Sequence, residues 1–219
     1  MVSDRVSITL SGIVGSGKSS AAKAIVHALR SAGCSAEYIR FQEFTELRAR
    51  VRHPVSSMSP GRFARASAAP GRGEARGGGY RRRRLTTAIA AGYVARTFLF
   101  RLRLRRWPKD TVLVFDRYFY DSLAHFDLSD AGVPLKLLMK AIPAPTLAAL
   151  LLIGEATILQ RRSRYSPEYA HQVAKGYEEL AQTIPGLLVV RTDDFASVAD
   201  AAGRIVASVL AKVGRRVDG

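Results

Sequence analysis

The sequence predicts an α/β fold built around a mainly parallel β-sheet, and three observations lead to this prediction. Short apolar segments alternate with segments of helical periodicity over most of the 219 residues. The segment "TVLVF" (111–115) is apolar on both faces, which is typical of a central parallel strand. A glycine-rich segment, "GIVGSGKSS" (12–20), lies between the first predicted strand and the first predicted helix.

The chain begins with a strand, a helix and a second strand. The apolar run Val6–Leu10 predicts a buried strand. Lys18–Arg30 predicts a helix, because apolar residues recur on one face and Gly33 follows its end. Ala36–Phe41 predicts the second strand.

Residues 53–84 differ in composition from the rest of the chain. They are rich in Gly, Ser, Pro and Arg and show little apolar periodicity. Such a segment cannot bury enough apolar surface to offset the entropy lost on ordering. We expect a mobile insert within one domain that spans residues 1–219.

The remaining elements continue the alternation. A long helix is predicted over Leu85–Arg106 and ends at Trp107-Pro108. Further strands are predicted at Thr111–Phe115, Leu147–Ile153 and Leu187–Arg191. Further helices are predicted at Tyr118–Phe126, Val133–Ile142, Ala156–Arg162, Pro167–Thr183 and Ser197–Val213.

Composition argues against several classes of protein. The single cysteine, Cys34, cannot form an internal disulfide, which fits a reducing compartment. The N-terminus lacks the features of a secretory signal peptide, and no apolar run is long enough to cross a bilayer. We therefore expect a cytoplasmic protein. The four histidines show no metal-ligand spacing, which argues against a structural zinc site.

The positive charge is concentrated in one segment. Residues 48–106 contain sixteen arginines and a single acid, Glu74, so they hold +15 of the formal net charge of +16. Arginine suits phosphate oxygens, which indicates phosphate recognition. A biased genomic base composition explains the arginine excess equally well, and both interpretations stay open.

The glycine-rich segment fits the pattern G-x-x-x-x-G-K-[ST] between a strand and a helix. Glycines allow backbone N–H groups to close around phosphate oxygens, and the N-terminus of the following helix attracts the same anion. A lysine in this pattern reaches the β- and γ-phosphates of a nucleotide. The predicted nucleotide-binding residues are Gly12, Gly15, Ser16, Gly17, Lys18, Ser19 and Ser20.

A phosphate-binding loop of this kind requires a carboxylate near the metal ion that accompanies the nucleotide. Asp116 directly follows the apolar strand 111–115. We expect the Ser19 hydroxyl and Asp116 to hold Mg²⁺. An aspartate here also fits the N-cap of the next helix, and the two roles are compatible.

These features together resemble the thymidylate kinase family of P-loop nucleoside monophosphate kinases. The resemblance rests on the loop at 12–19, "DRY" at 116–118 after a buried strand, Ala124, "RRSRY" (161–165) before a helix, and "TDDFASVADAAGRIV" (192–206). It covers most of the chain except residues 45–85.

The resemblance implies a three-layer P-loop NTPase fold, with a five-stranded parallel sheet flanked by helices. It also implies transfer of the γ-phosphoryl group of ATP, with Mg²⁺, to a nucleoside monophosphate, thymidylate (dTMP) being the default acceptor. Members of that family are commonly dimers, so a homodimer is a further expectation.

The same resemblance assigns roles to individual residues. The implied catalytic residues are Lys18, Asp116, Arg117, Arg162 and Arg164, the two last in a lid at 161–167 that also contains Arg161. The implied acceptor-binding residues are Arg96, Arg117, Tyr118 and Glu43. Arg161 and Arg162 also suit the end of a helix, where cations offset the helix dipole.

The sequence departs from the family in two places that shape the acceptor pocket. After the second strand it has "IRFQEFTE" where the family has a Thr-Arg-Glu-Pro-Gly type of loop. Asp121 stands where a serine is usual, and His125-Phe126 stand where the family has Tyr-Gln. Loss of a base-reading amide changes specificity strongly, so a sugar or another small metabolite is an alternative acceptor.

The segment "RTFLFRLRLRRWP" (96–108) mixes arginines with bulky apolar residues, and Phe98, Leu102 and Arg105 form one helical stripe. A core helix with an exposed basic edge is the first interpretation. A membrane-surface helix is the second. Contact of Arg81–Arg84 with nucleic acid is the third. An ATP-binding protein that engages nucleic acid or an anionic membrane through residues 48–106 therefore stays an alternative to the kinase.

Overall fold

The computed structural model describes residues 5–45, 82–129 and 131–217, and within them it leaves out the side chains of Glu43, Arg83, Phe195 and residues 212–217. The strands are β1 (Ser7–Gly12), β2 (Ala36–Arg40), β3 (Arg83–Arg84), β4 (Val112–Asp116), β5 (Phe126–Asp127), β6 (Leu147–Leu152) and β7 (Leu187–Arg191). Five of them form a parallel sheet in the order β2-β4-β1-β6-β7, and β3 pairs with β5. The predicted α/β class with a five-stranded parallel sheet is confirmed.

The helices cover both faces of this sheet. They are α1 (Lys18–Ser31), α2 (Phe41–Thr45), α3 (Thr87–Leu104), α4 (Phe119–Leu123), α5 (Gly132–Ala141), α6 (Glu155–Arg161), α7 (Pro167–Thr183) and α8 (Phe195–Val217). None of the helices in the described ranges is both long enough and apolar enough to cross a membrane.

The two faces of the sheet bury two separate apolar clusters. Val112 and Val114 point to one face and pack with residues of α1 and α8, such as Ile25 and Ile205. Leu113 and Phe115 point to the opposite face and join the aromatic cluster under α3, α4 and α7. Alternate side chains of a strand point to opposite faces, so a strand between two helical layers must be apolar throughout.

The sheet register aligns the carboxyl ends of its central strands. Leu10 in β1 and Arg40 in β2 both lie opposite Asp116 at the end of β4. The loop after β1 therefore begins beside the end of β4. Ligands of open α/β sheets bind at this edge.

The C-terminal part of the predicted insert belongs to the fold. The prediction of a mobile segment extended to Arg84, whereas Arg83 and Arg84 pair with Phe126 and Asp127. The Arg82 side chain is only 6% exposed, and its Nη2 lies 2.6 Å from Glu179 Oε2. Burial and this ion pair also remove Arg82 from the basic run considered for nucleic-acid contact. The rest of the predicted insert, 53–81, lies outside the described residues.

Among the other boundaries that differ from the sequence prediction, two change the type of element that a residue belongs to. Phe41 begins α2 instead of ending β2, because its ring packs against Phe100 and Phe119 in the aromatic cluster. The predicted helix over 118–126 ends at Leu123, and Phe126 joins β5.

Gly176 lets α7 approach the end of α4, and its replacement provides a test of this packing. A Cβ at Gly176 would lie 2.0 Å from Ala124 O, so we expect Gly176→Ala to lower the free energy of unfolding by about 2 kcal/mol. Gly203, in α8, is the matched control, since a Cβ there meets no atom within 4 Å. Gly203→Ala should raise stability by about 1 kcal/mol through helix propensity. Chemical denaturation measures both, and equal effects would contradict the close approach.

Candidate active site

The glycine loop is confined between β6 and α8. A Cβ on Gly12 would lie 2.2 Å from Leu151 O, and its φ of +148° is one that L side chains rarely adopt. A Cβ on Gly17 would lie 2.7 Å from Val198 Cγ2. Glycine is therefore required at both ends of the motif for steric reasons.

The carbonyl oxygens of the loop are held by neighbouring groups. Ile13 O accepts from the Ser16 amide at 3.1 Å, and Ser16 O accepts from Thr192 Oγ1 at 2.9 Å. Gly15 O accepts from Arg161 Nη1 at 2.8 Å. The first-turn amides of α1 have no acceptors within their own helix. They leave an N-terminus that favours an anion.

Lys18 is buried at the base of this loop. Its Nζ donates to Ile13 O at 2.6 Å and lies 3.4 Å from Ser16 Oγ. Burial lowers the pKa of Lys18 to about 8, and the Asp121 and Asp116 carboxylates only partly oppose this effect. The ammonium is therefore poorly solvated, and a phosphate group would provide the missing counter-charge.

Asp116 lies beside Ser19 of the loop and has one carboxylate oxygen without a hydrogen-bond partner. Its Oδ2 accepts from Ser19 Oγ at 2.5 Å and from Tyr38 OH at 2.7 Å. Its Oδ1 is buried and has no hydrogen-bond partner. A buried, unpartnered carboxylate oxygen beside a serine hydroxyl fits the oxygen ligands that Mg²⁺ prefers.

The described residues contain no cluster of three or more His, Cys, Asp or Glu side chains that could enclose a metal ion. Mg²⁺ commonly binds through one or two protein oxygens, with water and substrate phosphates completing its coordination. Asp116 and Ser19 match that mode, so the residues present fit a Mg²⁺–nucleotide complex.

The contact of Tyr38 with Asp116 has no signal in the sequence. Burial and the bond to Asp116 raise the pKa of Tyr38, so the hydroxyl keeps its proton and donates. We expect Tyr38→Phe to weaken binding of Mg-ATP severalfold more than binding of ATP in EDTA, because Asp116 loses a donor that fixes its orientation. Titration calorimetry with and without Mg²⁺ measures both affinities. An equal loss in the two titrations would contradict a role for Tyr38 at the metal side.

Arg117 follows Asp116 in a backbone conformation unusual for arginine. Its φ is +76°, the one non-glycine residue of the described ranges with positive φ. Its amide donates to Leu10 O at 3.0 Å, and its Nη1 lies 3.9 Å from Asp121 Oδ1. Such strain persists where the surroundings determine the conformation, and it is frequent at functional sites.

Asp121 connects the loop, Arg117 and α7. Its Oδ1 accepts from the Gly12 amide at 3.1 Å and from Tyr177 OH at 2.9 Å, and its Oδ2 accepts from the Tyr118 amide at 3.0 Å. In the sequence, Asp121 stands out only as a departure from the resembled family. The signal for its role was its place three residues after Tyr118, because an acidic side chain at the third position of a helix accepts from the amide of the N-cap residue.

The glycine loop, Lys18, Asp116 and Arg117 line one cavity of about 420 Å³. Its lining combines the loop, the end of β4 and the end of α6. The lining residues are Val14, Gly15, Gly17, Lys18, Ser19, Ser20, Asp116, Arg117, Arg161, Arg162, Asp194 and Val198.

The fold is similar to that of a solved structure, thymidylate kinase from Candida albicans. The two structures align over 93% of this chain and 92% of the other, with a TM-score of 0.57 and 14% sequence identity. The chain has a P-loop kinase fold. That protein is described as having a broad substrate specificity and a novel structural element. No protein-family model matches this sequence, and the search of curated proteins finds no similar sequence.

The arginines after β6 have different surroundings within this P-loop kinase fold. Arg161 donates to Gly15 O, Thr192 O and Asp193 O, so it fixes the loop to the end of β7. Arg162 is exposed and lines the cavity. Arg164 lies outside the cavity lining, with its guanidinium 5.4 Å from the Tyr165 ring centroid.

Of the residues predicted to bind the acceptor, Arg117 lines the cavity, whereas Arg96 and Tyr118 do not. Arg96 Nη2 donates to Thr45 Oγ1 at 3.0 Å, and its guanidinium lies over the Tyr93 ring. Tyr118 is buried in the aromatic cluster, and its hydroxyl donates to Pro143 O at 2.5 Å. The side chain of Glu43 lies outside the described residues. The structure thus brings Lys18, Ser19, Asp116, Arg117 and Arg162 together, and it places Arg96, Arg164 and Tyr118 elsewhere.

His125 and Phe126 offer little polar recognition. Burial lowers the pKa of His125 to about 4, although Asp121 opposes this effect, so the imidazole is neutral at pH 7. Phe126 is 2% exposed, and its ring packs edge-on against Tyr93. Neither residue supplies an amide that could read a nucleobase.

Proposed function

We propose that this protein is a Mg²⁺-dependent phosphotransferase that transfers the γ-phosphoryl group of ATP to a nucleoside monophosphate. The observation that supports this proposal is the convergence of Lys18, Ser19, Asp116, Arg117 and Arg162 on one cavity at the carboxyl edge of the sheet. The cavity thus combines backbone amides, three cations and a carboxylate that has one oxygen without a hydrogen-bond partner. Such a set matches a nucleoside triphosphate and its metal ion better than any uncharged ligand.

The loop and Lys18 would bind the triphosphate. The amides at the start of α1 would surround the phosphate oxygens, and the Lys18 ammonium would contact the β- and γ-phosphates. Asp116 and Ser19 would hold Mg²⁺, which supplies charge neutralisation at the β- and γ-phosphate oxygens when bound. Tyr38 would keep Asp116 oriented through the bond to Oδ2.

In the transfer step an acceptor oxygen attacks the γ-phosphorus. The bond from that phosphorus to the β,γ-bridging oxygen breaks, and ADP leaves with the bonding electrons. Arg117 and Arg162 line the cavity and would stabilise the charge on the transferring group. Residues 161–167 would form a lid that excludes water, the competing acceptor.

Both carboxylates that line the cavity have other roles, and this favours a phosphate acceptor over a hydroxyl acceptor. A hydroxyl must lose a proton to a base, whereas a phosphate oxygen is already anionic. Asp194 accepts from the Ser197 amide at 2.6 Å at the start of α8, and Asp116 is assigned to the metal. Among the residues that line the cavity, no further carboxylate is left to act as the general base for a hydroxyl acceptor. Thymidylate is the first acceptor to test, as the resemblance implies.

A second candidate is the same transfer to a different small acceptor. The buried Phe126 and the neutral His125 favour it, since they stand where the resembled family has Tyr-Gln. A pocket without an amide discriminates poorly among bases, so several monophosphates or a sugar phosphate would react at similar rates.

ADP release in the presence of Mg-ATP tests both candidates. The panel is dTMP, dUMP, UMP, CMP, AMP, GMP and simple sugar phosphates, each with wild type, Lys18→Met and the exposed control Lys23→Met. We expect acceptor-stimulated release that is lost in Lys18→Met and retained in Lys23→Met. Selective use of dTMP supports the first candidate, and comparable use of several acceptors supports the second. Absence of stimulation by every acceptor would contradict the proposed function.

A further inference from the structure

Exposed apolar side chains concentrate on two neighbouring helices. Among the residues that the structure describes, six large hydrophobic side chains are exposed, and five of them lie on α3 and α5. Phe98 and Val133 are each 67% exposed. The helices are in contact, since Arg101 Nη2 donates to Ala141 O at 3.0 Å. The five residues are Val94, Phe98, Leu102, Val133 and Leu137.

Each helix adds cations to the same side. Arg101 and Arg105 lie three and seven residues after Phe98, and Lys136 and Lys140 lie three and seven residues after Val133. Residues at these spacings share one face of a helix, and all four cations are exposed. Neither Thr87–Leu104 nor Gly132–Ala141 contains an acidic residue. We call these nine side chains the α3–α5 face.

We propose that the α3–α5 face docks on a membrane surface that contains anionic lipids. The apolar side chains would enter the boundary between headgroups and acyl chains, and the arginines and lysines would contact lipid phosphates. The proposal goes beyond the proposed function, because none of these side chains lines the cavity.

Charge argues for an anionic lipid surface over the other occupants. A second copy of this chain would bring an equally cationic face, and the formal net charge of each copy is +16. Residues 46–81 hold eight arginines and two acids, so this segment would also bring positive charge to a positive face. Nucleic acid matches the charge, but interfaces with DNA are more polar than the α3–α5 face.

Vesicle co-sedimentation of the full chain tests the proposal. We expect binding to vesicles of phosphatidylglycerol and phosphatidylcholine, and much weaker binding to phosphatidylcholine alone. Lys136→Gln with Lys140→Gln should weaken binding about 25-fold, since each basic residue at such a surface strengthens binding about fivefold. Phe98→Ser with Val133→Ser should weaken it at least about tenfold.

Matched control variants distinguish a role of the α3–α5 face from an effect of the overall positive charge of the protein. Lys23→Gln with Arg204→Gln removes two exposed cations from α1 and α8 and should leave vesicle binding unchanged. The two double variants of the α3–α5 face should keep the wild-type melting temperature and ADP release, because the replaced side chains are exposed and do not line the cavity. The lysine pair remains a test even if the apolar pair fails to fold.

Several outcomes would overturn the proposal. One is no binding of wild type to anionic vesicles, and another is equal binding by wild type and both double variants of the α3–α5 face. A third is sedimentation of wild type as a dimer that Phe98→Ser with Val133→Ser dissociates, which would assign the face to a second copy. Loss of single-stranded DNA binding in the double variants of the α3–α5 face, with vesicle binding unchanged, would assign it to nucleic acid.

Discussion

Lys18→Met is expected to lower kcat for ADP formation about 10²- to 10³-fold, the usual cost of removing one preorganised donor from a transferring group. Lys18 is the cation closest to the base of the loop, with Nζ 2.6 Å from Ile13 O. Methionine fills a similar volume, so the loop should keep its shape while the charge is lost. Lys23→Met, on the exposed side of α1, should retain the wild-type kcat.

The same substitution should change how stability depends on pH. The pKa of Lys18 is lowered from 10.5 to about 8, so between these values the unfolded chain binds more protons than the folded one. The free energy of unfolding of wild type should therefore rise by on the order of 3 kcal/mol relative to Lys18→Met as pH increases from 8 to 10.5. Below pH 8 both states are protonated, and the difference between the variants should be constant. A difference independent of pH over the whole range would contradict the burial of a charged Lys18.

Asp121→Asn is expected to have the second largest effect and to act on both stability and catalysis. The carboxylate accepts from the Gly12 amide, the Tyr118 amide and the Tyr177 hydroxyl, and an asparagine side chain must direct its NH₂ group towards one of these donors. We expect the free energy of unfolding to fall by about 3 kcal/mol, since a buried charged acceptor loses its bonds. Asp200→Asn, exposed on α8, should leave stability unchanged.

The catalytic part of this prediction concerns Arg117. Asp121 Oδ1 lies 3.9 Å from Arg117 Nη1, so its loss should misplace the guanidinium and lower kcat about tenfold, with little change in KM for ATP. Arg117→Gly removes the same guanidinium and also relieves the positive φ. If Asp121 acts through Arg117, the two substitutions should be strongly non-additive in kcat. Additive effects would assign Asp121 a structural role alone.

The parts of the site that depend on a local pattern of residues could be predicted from the sequence. The loop at 12–20, the helix after it and Asp116 after an apolar strand are all recognisable from spacing, because phosphate binding constrains consecutive residues. The three inner strands of the sheet, β1, β4 and β6, were recognisable for a similar reason. A strand covered on both faces is apolar throughout and ends at a turn residue.

The contacts that could not be predicted join distant segments. Tyr38 reaches Asp116 only because β2 lies beside β4 in the sheet, and pairing order is not a local property. The pairing of Arg83 and Arg84 with β5 involves two residues on each strand, too few for a periodic signal. Tyr118 was expected at the acceptor, but the packing of the aromatic cluster determines where its ring lies.

Titration calorimetry of Mg-ATP at pH 8, in two buffers of different ionisation enthalpy, tests the central claim most directly. The claim is that the 12–20 loop, Lys18 and Asp116 bind the triphosphate of a nucleotide. With its pKa at about 8, Lys18 is half protonated in the free protein, and bound phosphates would raise that pKa. We predict binding with uptake of about half a proton per ATP, and no proton uptake by Lys18→Met. Absence of any binding heat at millimolar Mg²⁺, or binding that Lys18→Met leaves unchanged, would contradict the account.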